Sequence, residues 1–434
     1  MANTHMGIAI IVIVVVVIVD TSIPVISRYT GSTGSSFQSI LLFLCMVSVY
    51  AFGQAYVLRF VRSKLNFSNQ QNTIVYLHKI VSFIQYVLIA IMTIIIFQIL
   101  FQGIYSSTLL KIIVSINFIL SSILFGYFGI RLFLWNRFNK NLILLTFMLA
   151  ILALTATSLI TVIYIMNQFG GQRSFEYIFP MKSVQIIIAG ANNSASLTFL
   201  LASIISFVMT WIASVVLMKH FSLRIGKIKY WILVFIPLVY FLSQFQSFFP
   251  IIFQELRIQD PIMYGIIHTL FFSSSKPVGG ILFGLAFWSI TKGLRESTTK
   301  DYILIAAWGM ILFFTVNQPA ILTLFPYPPF GVPTICFIGL SSYLVLVGIY
   351  SSTISIASDE KLLREVRKLL PIEYNLLSNI VTANEVKRMQ EKAVIITNQL
   401  ADKITKETGI SSSLEEQDIK DYVVEILKET KKLE

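Results

Sequence analysis

The chain has 434 residues, 56% hydrophobic and 12% charged, with a mean hydropathy of +0.79 and a formal net charge of +12. A soluble domain carries about twice that charged fraction, so a soluble globular class is excluded. Two cysteines, Cys45 and Cys336, both inside apolar runs, exclude a disulfide framework and a cysteine metal site.

The apolar runs predict ten membrane spans, near 7–26, 38–58, 80–101, 108–130, 142–166, 197–218, 230–253, 272–291, 302–324 and 332–353. Each reaches the roughly 20 residues that a helix needs to cross a bilayer. Short segments of alternating polarity, the mark of a membrane β-barrel, are missing. The expected fold is therefore all-α: a polytopic transmembrane helical bundle over 1–353, followed by a cytoplasmic amphipathic helical tail over 354–434.

Span 1 is an unbroken apolar run from Gly7 to Val19, with no Lys or Arg before it. It reads as an uncleaved span rather than a signal peptide. The loops then alternate in charge: one set holds 14 Lys and Arg, the opposite set 6. The positive-inside rule places the richer set and both termini in the cytoplasm of a cell-membrane protein. The +12 charge is thus a topology signal, and no nucleic-acid motif accompanies it. The largest opposite-side loop, about 167–196, is too small for a folded sensor domain. It contains Asn192-Asn193-Ser194, which fits the N-glycosylation pattern.

Polar residues inside spans are costly, so they mark candidate sites. With outer boundaries near 26 and 272, Asp20 lies about 9 Å deep and Lys276 about 6 Å, at 1.5 Å rise per residue. These opposite charges are expected to approach each other or share a hydrated cavity. Gln244, His268, Asn317 and Gln318 fall in the same half, and Pro319 is expected to bend span 9. The stretch FFSSSKPVGGILFGLAFW (271–288) allows two readings. Pro277 could break a segment starting near Pro261 into two half-helices, as in transporters. Alternatively it occupies the first turn of a helix, with Lys276 snorkelling to the interface. Gly280 and Gly284 form a GxxxG, expected to pack closely against another helix.

Catalytic signals are thin. Ser273-Ser274-Ser275-Lys276 fits a bare S-x-x-K, but its companion motifs are missing. The four histidines make no metal-ligand cluster, and His78 reads as a boundary residue beside Lys79. No cofactor, metal or catalytic residue is expected.

In the tail, Leu362, Leu363, Val366, Leu369 and Leu370 recur at helical spacing up to Pro371. A second amphipathic helix is expected over 383–408, with Val386, Met389, Ala393, Ile396, Leu400 and Ile404 on one stripe and Gly409 as its stop. A third begins at the capping box Ser413…Glu416, with Ile419, Val423, Ile426 and Leu427 on its apolar face. Such helices need one another, a second copy or a cytoplasmic protein partner to cover their stripes; a solvated stalk is the alternative. The heptad pattern runs under three repeats.

The layout resembles the multi-pass input region of membrane sensor kinases, without the kinase. The segments IYSSTISIASDEKLLREVRKLL (349–370) and ETGISSSLEEQDIKDYVVEIL (407–427) look like parts of uncharacterised archaeal multi-pass membrane proteins. That resemblance implies no catalytic role for any residue. The expected function is a non-enzymatic receptor-like or scaffolding protein that relays to a partner through Val386, Met389, Ile396, Leu400, Ile419, Val423 and Ile426. The alternative is a small-molecule or ion transporter using the polar residues of the outer half.

Overall fold

A computed structural model describes residues 2–30, 36–64, 72–138, 141–170, 174–176, 194–219, 226–243, 253–291, 298–324, 328–358 and 376–408, and five positions between 417 and 426. The chain is an all-α polytopic bundle. Its helices in order are α1 (Ala2–Thr30), α2 (Ser36–Lys64), α3 (Asn72–Gln102), α4 (Ser107–Phe138), α5 (Leu142–Gln168), α6 (Ser194–Met218) and α7 (Lys227–Ser243). Then come the short α8 (Gln254–Gln259), α9 (Pro261–Thr291), α10 (Thr298–Val316), the single turn α11 (Ile321–Leu324), α12 (Val332–Ser358) and α13 (Leu376–Thr408). Two three-residue strands, β1 (Ile104–Ser106) and β2 (Ser174–Glu176), pair antiparallel with Tyr105 opposite Phe175.

Among the described residues, nine helices are long and apolar enough to cross a membrane. In hydrocarbon every backbone amide must be satisfied within its own segment, which leaves helices as the form such runs can take. The large side chains exposed along them, such as Phe52, Phe83 and Ile123, form the surface a bilayer would cover. The predicted seventh span appears as the 17-residue α7, and its continuation over 244–252 lies outside the described residues.

α12 is the spine. Every residue of its apolar window is buried, and it packs on α1, α2, α3, α4 and α10. The closest pairing, α10 with α12, depends on two glycines facing each other's backbone. A Cβ on Gly309 would lie 2.7 Å from Val345 N, and one on Gly348 would lie 2.5 Å from Ala306 N. Small residues at such crossings let helix backbones meet, which supplies packing where lipid gives no hydrophobic drive. Gly280 and Gly284 of α9 face α10 in the same way, against Ile311 O and Ala307 O.

The two ends of the bundle differ. At the tail end, Lys64 and Asp301 pair at 2.7 Å, the Tyr302 hydroxyl donates to Lys64 O, and Thr299 and Ser355 share a hydrogen bond. α13 packs there on α4, α5 and α12, with Ile380 in the bundle core. The far end holds the start of α12, the end of α10 and the β1–β2 pair.

Two expectations for 261–291 are corrected. α9 is one continuous helix containing Pro277, so the segment does not break at 273–277, nor is Pro277 in a first turn. Span 9, by contrast, stops at Val316, passes through a turn at Pro319 and resumes as α11. The predicted tail helix starts at Leu376 rather than 383 and ends at Thr408, next to Gly409. The first predicted tail helix, beyond Ser358, and the Ser413 capping box lie outside the described residues.

Candidate functional site

The polar residues singled out in the sequence gather at the far end, where two proline-disturbed helices and two helix termini meet. Pro277 has no N–H to give the carbonyl of Ser273, one turn earlier. Gln318 Nε2 donates to that carbonyl at 3.0 Å. The interruption of α10 at Pro319 leaves the carbonyl of Asn317 outside the helix ladder, and Lys276 Nζ donates to it at 2.6 Å. Each proline site therefore has its open carbonyl covered by a side chain from beside the other: Gln318 serves α9, and Lys276 serves the end of α10. A cation at a helix C-terminus is also favoured by the helix dipole.

Asp20 performs the converse task. Its Oδ2 accepts from Gly331 N at 3.1 Å and from Thr334 Oγ1 at 2.6 Å, immediately before and within the first turn of α12. A carboxylate at a helix N-terminus covers open N–H groups and meets the positive end of the dipole. Gly331 adopts φ 87°, a left-handed conformation natural to glycine, as the chain enters α12. Asp20 is 1% exposed, and its Oδ1 has no hydrogen-bond partner among the described residues.

Asp20 and Lys276 do not form an ion pair; each is held by backbone of a different element. Their neighbourhoods are joined less directly: Ser22, two residues after Asp20, donates to Ser273 Oγ at 3.1 Å, one turn before Lys276. Tyr240 on α7 adds a 2.8 Å bond to Ser274. Asp20, Lys276, Asn317 and Gln318 thus belong to one polar zone linking α1, α9, α10 and α12. His268 lies in α9 with its ring stacked on Tyr264. Gln244 lies outside the described residues.

A narrow crevice beside Asp20, between α1, α2 and α12, is lined by Val17, Met46, Tyr50, Thr334 and Phe337. Its free space amounts to no more than about one water molecule, far too little for an organic solute.

Sequence reasoning passed over a second set of polar residues. Tyr50, Gln54 and Gln85 are fully buried at the middle of α2 and α3, and the Tyr50 hydroxyl donates to Gln85 Oε1 at 2.7 Å. Gln85 Nε2 and both polar atoms of Gln54 have no partner among the described residues. His78, read as a boundary residue, meets the Tyr343 hydroxyl of α12 at 2.9 Å through Nδ1. The signal was present: a glutamine at the centre of an apolar span is expensive whether or not it is charged.

In the tail, Met389, Ile396 and Leu400 are 50%, 55% and 55% exposed, while Val386 is half-buried. The buried side of α13 carries Ile380, Gln390 and Val394 instead. Ile419 is buried, Val423 half-buried and Ile426 exposed. No group of three or more metal-ligating side chains occurs among the described residues. No family model matches the chain, and neither a curated protein nor a solved structure does.

Proposed function

We propose that this integral membrane protein is a non-enzymatic receptor or scaffold whose bundle relays to a cytoplasmic partner through α13. The observation that carries the reading is the seating of α13. One side of this helix packs on α4, α5 and α12, and the Met389, Ile396 and Leu400 row faces outward. An amphipathic helix with its apolar row uncovered is a common docking surface for a protein partner. The same helix rests on α12, whose opposite end is capped by Asp20. A change at the far end therefore has a buried helix of 27 residues through which to reach the tail. On this reading α13 and both termini lie in the cytoplasm, the side that the loop charge favours.

The test compares affinity capture from cell membranes and cytosol by three purified forms. These are the full chain, a Met389→Ser/Ile396→Ser/Leu400→Ser variant, and a chain ending at Ser358. A partner retained by the full chain and lost by both others is the expected result. Identical captures from all three forms would remove the basis for the relay.

A further inference from the structure

Polar side chains of α1, α2 and α3, helices that pack on α12, lie at successive depths along the bundle, and the docking of α13 leaves them unexplained. This row begins at Asp20 and Thr334, which share the crevice with Tyr50. Tyr50 passes a hydrogen bond to Gln85. Gln54 follows Tyr50 by one turn of α2 toward the tail end, about 6 Å further along, and His78 lies about 10 Å from Gln85 along α3. His78 closes the row on Tyr343 of α12.

Along this row Asp20 Oδ1, Gln85 Nε2, Gln54 Oε1 and Gln54 Nε2 are buried without a partner among the described residues. An unmet buried polar atom costs about 1–3 kcal/mol, so such groups in natural proteins are normally met by ordered water. Four such atoms at successive depths, with two hydroxyls and an imidazole, are the groups a proton path beside α12 would use, and the crevice at Asp20 has room for about one water molecule. Chains of Asp, His and hydroxyl groups across a membrane are the usual material of proton relays.

We infer that Asp20 is a proton-binding site of the bundle, exchanging its proton with bulk water through the row Tyr50, Gln85, Gln54, Tyr343 and His78. A hydronium reaching the crevice gives one proton to Asp20 Oδ1. An O–H bond forms, the carboxylate becomes a neutral acid and a water molecule remains. Oδ2 keeps its bonds to Gly331 and Thr334 throughout.

The charged and titratable groups around Asp20 are few. α2 contributes Tyr50, α12 contributes Cys336, and α9 contributes Lys276, already held on Asn317 O. α10 brings its ionisable residues, Lys300, Asp301 and Tyr302, to the opposite end, and α11 has none. A single carboxylate thus dominates the site. The inference does not depend on what α13 docks.

The experiment is infrared difference spectroscopy between high and low pH on the full chain in liposomes, reading the C=O band of a protonated carboxylic acid. A band at the high frequency of a buried acid is expected in the wild type, lost in Asp20→Asn and moved in Thr334→Val. The Thr334→Val arm assigns the band even if Asp20→Asn fails to insert. After a pH jump the band should rise more slowly in Tyr50→Phe and Gln54→Leu. A wild-type spectrum without the band, or a band indifferent to both Asp20→Asn and Thr334→Val, overturns the site. Unchanged rates in Tyr50→Phe and Gln54→Leu overturn the route.

Discussion

Gly348→Ala should be among the most damaging small substitutions in the chain. Its added Cβ would lie 2.5 Å from Ala306 N, 2.7 Å from Tyr302 O and 2.8 Å from Ala306 Cα. These are main-chain atoms of α10, so no side chain can rotate away. Carbon atoms prefer separations of about 3.5–4.0 Å, so α10 and α12 must part by about 1 Å. That displacement reaches Gly309, whose own close contact with Val345 belongs to the same crossing, and the Thr299–Ser355 and Lys64–Asp301 pairs one or two turns away. Overpacking of a tight core costs about 1–3 kcal/mol, and backbone-to-backbone conflict places this case at the upper end. Alanine regains up to about 1 kcal/mol of helix propensity over glycine, which is why a control is needed. Gly126→Ala provides it, since its Cβ would meet only Thr155 Cγ2 at 3.6 Å, an ordinary contact. Denaturant unfolding of both variants in one detergent should show Gly348→Ala well below the wild type and Gly126→Ala equal or slightly above. Equal midpoints for the two would refute the close α10–α12 crossing.

Four further outcomes concern the site, the tail-end ion pair and α13. Gln318→Leu should cost about 1–3 kcal/mol by exposing the Ser273 carbonyl. Adding Pro277→Ala should recover part of that loss, because residue 277 then has an N–H to offer; strict additivity in the double-mutant cycle would contradict the cross-capping. Thr334→Val, which removes one donor from a buried carboxylate, should lower stability by about 1.5–3 kcal/mol, whereas Thr334→Ser should be close to neutral in the same unfolding assay. Asp301→Asn, at a partly exposed ion pair, should cost no more than about 1 kcal/mol, and raising salt should shrink the difference. The Met389→Ser/Ile396→Ser/Leu400→Ser variant should unfold within about 0.5 kcal/mol per site of the wild type, since these side chains are largely in solvent; a large loss would mean that the row packs inside the protein.

The all-α bundle was legible because apolar length is a blunt and strong signal, as in the runs that became α4, α5 and α6. Pro319 was readable as an interruption, since a proline beside the polar pair Asn317–Gln318 combines a missing donor with side chains that are costly to bury. Pro277 was harder. Whether a proline breaks a helix depends on who takes the freed carbonyl, and here that partner, Gln318, lies 45 residues away. For the same reason the likeness in depth of Asp20 and Lys276 suggested a pair, although each found a helix terminus instead. Depth along a span is periodic and local, while azimuth around the bundle is set by packing. Gln54 and Gln85 lacked a charge to draw attention, yet their burial at span centres makes them as informative as Asp20.

The relay from the far end to the tail is tested most directly by amide hydrogen exchange across α13 in the wild type and in Asp20→Asn, both in liposomes. Removing the charge that caps α12 is expected to loosen that helix and speed exchange over 376–394, with α5 and α6 unchanged. Exchange in α13 that stays at the wild-type rate, in an Asp20→Asn protein that inserts normally, would contradict the coupling of α12 to the tail.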